Sequence, residues 1–531
     1  MSASTAAAAA RTPILFTGKR VARSTANLAP AYEGLTDASI SLWPPGTVEA
    51  VKRSIGLALA VAAVAALVTT MASGSRDSRP AAQAASPTWK DVAPIFAEKC
   101  AGCHAPGGIA PFSLTSARTA RAYARGILVM TQLGRMPPWM PGRDSPTYLG
   151  QSTRILTTAE KRLIARWVRG GARLGAARPV VAPPRGSTAP GTTMTLQPSR
   201  SYLPKPAVGG LDDYHCFLLE PNLTHDAYLT SAVIKPQRAT IVHHVILFEA
   251  AGEDLTEARR LNDASGGNGW TCFGGPGLSE THPSVDAVSS DRLGTPPWIG
   301  AWVPGHATND TPAGTGVLVH AGAGIVMQVH YNLIHKARPD RSKAVMRFVP
   351  AADAKLTPLN TIVIPAPVEL ACPKGVTSRL CSREVAVQEE IRKYGYQAAL
   401  IPSGLLYICR KSFALDYPSP KTSCDRRVNR PLRIYGITGH MHTRGVDIRV
   451  QLNDRTLLHI PRWNFHWQDA YYLAHPVDAN VGDVIRVSCR FDNSRARQPL
   501  VKGRLLKPRY VLWGEGTTDE MCLGLLQAAD R

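Results

Sequence analysis

The chain has 531 residues, with 61 Lys and Arg against 39 Asp and Glu, a formal charge of +22. That length predicts about three domains, and 44 Gly with 42 Pro favour turns and short strands over long helices. The basic residues are scattered singly and in pairs without interleaved aromatics, which excludes a nucleic-acid groove and reads as a solvated basic surface facing acidic lipid or a redox partner protein.

Residues 1–53 read as an N-terminal tail. Directly after Lys52-Arg53, the Ala- and Val-rich run Ile55–Ala72 has the basic flank and apolar core of an export signal, so 54–72 is a signal or a membrane anchor. Fifty residues ahead of it are too many for a signal peptide, so either the N-terminus stays inside or the true start lies near Val51. In both cases the remainder is exported, to the periplasm or another extracytoplasmic space. Residues 73–88 and 177–209, rich in Pro, Ala, Ser, Gly and Arg without periodicity, read as linkers.

Between the linkers, at 89–176, stands Cys100-Ala-Gly-Cys103-His104. Two thiols three apart followed by histidine bond covalently to both vinyl groups of one haem and supply an iron ligand. Upstream, Trp89, Val92, Ile95 and Phe96 recur at helical spacing; downstream, Ile164, Trp167 and Val168 share a face of a helix that stops at Gly170-Gly171. Between them Met136-Pro-Pro-Trp-Met140 offers thioethers on a proline-stiffened loop. This stretch resembles class I cytochromes c. The resemblance implies one c-type haem held by Cys100 and Cys103, with His104 and Met136 axial and Met140 the alternative to Met136.

From residue 210 onward, short alternating apolar runs such as Thr240–Phe248 and Gly324–Tyr331 are separated by Gly, Pro and Asn, the rhythm of antiparallel sheets. Eight cysteines remain here, an even number in an exported chain, which predicts up to four disulfides. His440-Met-His442 places two imidazoles on one face of a strand, a ready chelate. His243 and His244 are neighbours, which point oppositely on a regular strand; co-ligation would need a bulge or a strand end. His330 stands alone on its strand, where a structural histidine is the commoner reading.

Taken in order, His243-His244, Gln328-Val-His330-Tyr331, Gly439-His-Met-His-Thr-Arg-Gly445 and Thr518-Asp-Glu-Met521-Cys522 are similar to the copper type II, ascorbate-dependent monooxygenases, the family of peptidylglycine α-hydroxylating monooxygenase and dopamine β-hydroxylase. The resemblance implies two copper ions, one held by His243, His244 and His330 and the other, where dioxygen reacts, by His440, His442 and Met521. It implies a Cys489–Cys522 disulfide and offers Cys216 and Cys272 as partners. It also implies two all-β jelly-roll sandwiches, at 210–352 and 353–531, after the small all-α cytochrome c domain. The segment 369–429, with Cys372, Cys381, Cys409 and Cys424, departs from the family and reads as a disulfide-tied surface excursion. Where the peptide-hydroxylating relatives bind a carboxylate this chain has Thr438, Leu523 and Leu525, so the expected substrate is a small apolar molecule, hydroxylated with O2. Ascorbate or another reductant supplies the electrons, with the haem, swinging on its linker of about 30 residues, feeding the His243, His244, His330 copper. The competing class is an exported copper and haem electron-transfer protein without catalysis.

Overall fold

The computed structural model describes residues 86–106, 110–176, 189–206, 210–278, 298–303, 309–412, 417–501 and 503–531. The tail 1–53, the apolar run 54–72 and most of the first linker lie outside them, as do 177–188 and 207–209. Among the described residues no helix is long and apolar enough to cross a membrane.

One expectation is overturned. In place of a multidomain chain with a small all-α domain followed by two all-β jelly-roll sandwich domains, residues Ala84–Arg531 form one compact unit, mostly β with few helices, its longer strands arranged in sheets of four to six. The physical reason is long-range packing that joins the helical stretch to the sheets.

In that stretch, Trp89–Lys99 and Thr158–Arg169 each start on a capping box, Thr88 with Asp91 and Thr157 with Glu160. Here the N-cap hydroxyl and the carboxylate three residues on satisfy amides that lack a helical partner. The stripes read from the sequence meet: Trp89 lies 5.1 Å from Phe96 and 5.8 Å from Trp167, ring centre to ring centre, and all three are fully buried. Each such side chain contributes about 1.5–3 kcal/mol.

The loop between these helices does not end in solvent. The Gly142 amide donates to the His459 carbonyl at 2.7 Å, Leu149 to Tyr472 at 2.8 Å, and Ala474 to Thr147 at 2.9 Å. The Tyr148 hydroxyl donates to the Leu457 carbonyl at 2.7 Å, and Arg154 pairs with the buried Asp469. Residues 142–154 thus lie along strands Arg455–Ile460 and Ala470–Ala479, which corrects the picture of a haem segment free to swing on a linker. Within that linker, Thr192–Leu196 is itself a strand, paired with Lys343–Pro350.

Two sheets position the first histidines. In a five-stranded sheet the order is Trp270–Thr271, Asp212–Leu219, Gly324–Asn332, Val242–Ala250, Trp298–Trp302. The central Gly324–Asn332 is buried at every residue, as expected of a strand covered on both faces. The six-stranded sheet, which includes Ala227–Lys235 and Lys343–Pro350, shares one apolar core with it through Leu229, Leu247 and Met327. Two four-stranded sheets position the second set: Asn360–Pro365, Leu523–Asp530, Leu432–His440, Ala470–Ala479, and Lys421–Arg427, Val484–Phe491, Gly445–Leu452, Arg455–Ile460.

Four disulfides are present, Cys216–Cys272, Cys372–Cys381, Cys409–Cys424 and Cys489–Cys522, as expected of a protein matured in an oxidising compartment. The stretch 369–429 is not a surface excursion. It contains helices Arg383–Tyr394 and Tyr396–Ile408, and Leu405, Cys409 and Cys424 belong to the same buried cluster as Ile364, Val450 and Met521.

Candidate metal centres and the cavity between them

His243 and His244 do converge. Pairing of Val242–Ala250 with Gly324–Asn332 runs Val242 opposite Tyr331 and then His244 opposite His330, a register shift that leaves His243 as the extra residue of a bulge. Such a bulge re-aims a side chain that regular alternation would send to the other face. His243 Nδ1 lies 3.2 Å from His244 Nδ1, which lies 3.4 Å from His330 Nδ1; one ring nitrogen from each falls within 4.8 Å of the others. His330 Nε2–H donates to Asp212 Oδ1 at 2.9 Å, which turns the Nδ1 lone pair toward its neighbours. Asp212 also accepts from the Thr517 amide at 3.1 Å and the Thr517 hydroxyl at 2.6 Å. Burial, reinforced by the neighbouring imidazoles, holds His243 and His244 well below the ordinary histidine range. They are neutral and can offer lone pairs.

His440 ends strand Leu432–His440. Met441 after it is fully buried in the core, while His440 and His442 line a cavity on the other side, their rings 5.2 Å apart and nearly perpendicular. His440 Nδ1–H donates to Gln468 Oε1 at 2.7 Å and His442 Nδ1–H to the Asp519 carbonyl at 3.2 Å, so both present Nε2 instead. Burial pushes His440 down to about 4 and His442 well below its usual range. Met521 lines the same cavity. It lies two residues before Leu523, the register partner of His440. On one side of it Cys522 is bonded to Cys489; on the other, the Glu520 carboxylate accepts the amides of His442, at 3.0 Å, and Arg444.

The two sets are neighbours. Phe465 stacks on His243 at 4.6 Å and meets His442 edge-on at 5.9 Å. His244 from the first set joins His440, His442 and Met521 in lining a cavity of about 480 Å³. Most of its wall is apolar, including Ile299, Trp302, Val363, Leu405 and Leu525; Thr438 and Leu523 also line it. Arg426, Asp469 and Glu515 are the charged exceptions, and burial pushes Glu515 up to about 7. Trp513 and Gln527, two of the lining residues, have a side-chain atom, Nε1 and Oε1, buried without a hydrogen-bond partner.

Sequence reasoning missed Asp212, Gln468, Phe465 and Thr517. None of them carried a signal: Asp212 is followed by Asp213 and, two residues on, His215, so nothing in the run singles it out.

The residues expected from the sequence to hold a haem form a separate group. Cys100 and Cys103 are the two cysteines outside the disulfides, and burial pushes the Cys100 thiol up to about 12. His104 Nδ1–H donates to the Phe112 carbonyl at 3.0 Å, leaving Nε2 for a metal. Phe112 stacks on Tyr123 at 4.0 Å, and Tyr123, Val129, Leu133 and Met136 are 38–55% exposed, apolar surface of the kind a macrocycle covers. The residues fit a c-type haem. Met140 is packed against the β core, whereas Met136 is 38% exposed and is the thioether of the two that would be free to ligate such a group.

No family model and no curated protein matches the chain. Among solved structures, the major capsid protein P2 of bacteriophage PM2 overlaps 64% of this chain and 97% of its own at 7% identity and a TM-score of 0.23. Xanthan lyase of Paenibacillus overlaps 64% of this chain and 25% of its own at 11% identity and a TM-score of 0.14, and VP2 of infectious bursal disease virus overlaps 66% and 74% at 9% identity and a TM-score of 0.14. Overlaps this loose say nothing of fold or chemistry.

Proposed function

We infer that the chain is an exported copper-dependent monooxygenase that hydroxylates an aliphatic C–H bond of a small, largely apolar substrate. The observation that carries this reading is that two histidine sets, His243, His244 and His330 and His440, His442 with Met521, lie beside one another, with His244, His440, His442 and Met521 lining one largely apolar cavity. Copper supplies one-electron chemistry toward dioxygen, and a set with a thioether favours its reduced state. The balance is R–H + O2 + 2 electrons + 2 protons giving R–OH and water.

The chain's own residues divide the work. Asp212 and Gln468 fix the tautomers of His330 and His440, the apolar wall excludes water and orients the reacting carbon, and Phe465 separates the two sets. Electrons come from ascorbate or a redox partner protein, directly or by way of the haem. Contacts of the haem segment favour entry at the His440 set: Trp139 lies 5.4 Å from Tyr471, and Arg154 pairs with Asp469, next to the Gln468 that holds His440.

Metal analysis combined with oxygen uptake under ascorbate tests the reading. The expected result is uptake stimulated by an apolar substrate and abolished in Met521→Ala, with the haem spectrum and the three-histidine copper unchanged. Copper bound without any uptake would instead favour a copper and haem electron carrier.

A further inference from the structure

Helix Tyr396–Ile408 has no charged residue in thirteen. Ile401, Leu405 and Ile408, at the i, i+4, i+7 spacing of one stripe, line the cavity. The opposite stripe is uncharged and faces solvent: Tyr396 is 68% exposed, Leu400 39% and Tyr407 81%, with Ser403 between them. An uncharged helix covered on one side only, with large apolar side chains on the other, is expected to meet an apolar medium there. Tyrosine and leucine on that side, with basic residues at the ends, are the composition of helices lying in a membrane interface. The basic residues are present: Arg392 is exposed just before the helix and Arg410 just after it, and the chain as a whole carries +22. Cations so placed are drawn to an anionic lipid surface.

We propose that helix Tyr396–Ile408 docks on an anionic lipid surface and that the cavity it walls takes a membrane-dissolved, largely apolar molecule. The cavity side supports the ligand class independently. Ile299, Trp302, Val363 and Leu525 wall it, the surface that an apolar body covers. The substrate class rests on reading the cavity as the substrate site; the docking does not.

The test uses the full chain carrying Ser403→Cys, a position on the exposed stripe, labelled with an environment-sensitive fluorophore. It is mixed with vesicles of phosphatidylcholine, with or without phosphatidylserine, that carry spin-labelled acyl chains as quencher. Blue-shifted emission quenched by the acyl-chain probe on the anionic vesicles, and reduced several-fold in the Tyr396→Ser, Leu400→Ser, Tyr407→Ser variant, is the expected result. It should be the same in copper-free protein, so failure of the monooxygenase reading would leave it standing. Emission that stays water-like on anionic vesicles overturns the proposal. A concentration-dependent shift without lipid overturns it too, since the helix would then meet a second copy of the chain.

Discussion

Asp212 orients His330 through a 2.9 Å hydrogen bond while Thr517 and His330, against the effect of burial, hold its carboxyl below the usual range. Such partners of metal-binding histidines are typically worth 10–100-fold in affinity. Asp212→Asn is therefore expected to weaken copper at the three-histidine set by about that factor and leave the His440 set unaffected, as read by competitive copper titration; equal affinity at both sets in the variant would contradict the assignment. Residue-scale chemistry was partly legible. His440 and His442 were readable as a pair from their i, i+2 spacing, although the strand ends at His440 and His442 stands just beyond it. His243 with His244 left two readings open, because the bulge that joins them arises from pairing with a strand about 90 residues away. Asp212 was not legible as a partner of His330 for the same reason: nothing in either residue's neighbourhood points to the other.

Trp513–Cys522 is the segment on which both sets depend, through Thr517 to Asp212 and through Asp519 and Glu520 to His442. Its C-terminal end is held by Cys489–Cys522, which closes a loop of 33 residues, worth about 3–4 kcal/mol in the chain-entropy account. Replacing both cysteines by Ala is expected to lower stability by roughly that amount and to weaken copper at the Met521 set more than at the other, measured by denaturation and copper titration. Helix Arg383–Tyr394 braces the same segment. Its buried Glu390 lies 3.2 Å from Lys393, and burial, then the charge of Asp519, raises the Glu390 carboxyl from 4.5 to about 8. Between those values the folded chain holds a proton that the unfolded chain has released, so stability is expected to fall as pH rises through that window. Glu390→Gln should flatten that part of the stability profile; an unchanged slope would contradict it. At this scale the helices Trp89–Lys99 and Thr158–Arg169 were legible, because their apolar residues repeat at 3.6 and their ends carry caps, whereas the shorter helices Ala117–Ala122 and Ala124–Gln132 between them were not. The helices within 369–429 were not: four cysteines suggested a loose excursion, and Tyr396–Ile408 shows no polar face to reveal its register.

The joining of the haem segment to the sheets belongs to the whole molecule. Its contacts pair residues 142–154 with 457–474, more than 300 positions apart, and no local pattern announces them, which is why the separate all-α domain expected from the sequence is not what forms. Arg154→Ala combined with Tyr148→Phe is expected to slow reoxidation of pre-reduced haem by oxygen and substrate several-fold in stopped-flow mixing, with a rate that no longer stays independent of protein concentration. A rate unchanged by both substitutions would show that electrons take another way. Most direct of all is a count of copper in the full chain and in two variants, followed by paramagnetic resonance. The account predicts two coppers per chain with distinct signals, one lost in His330→Ala and the other in His440→Ala; a chain that binds no copper, or variants that both retain two, would contradict it.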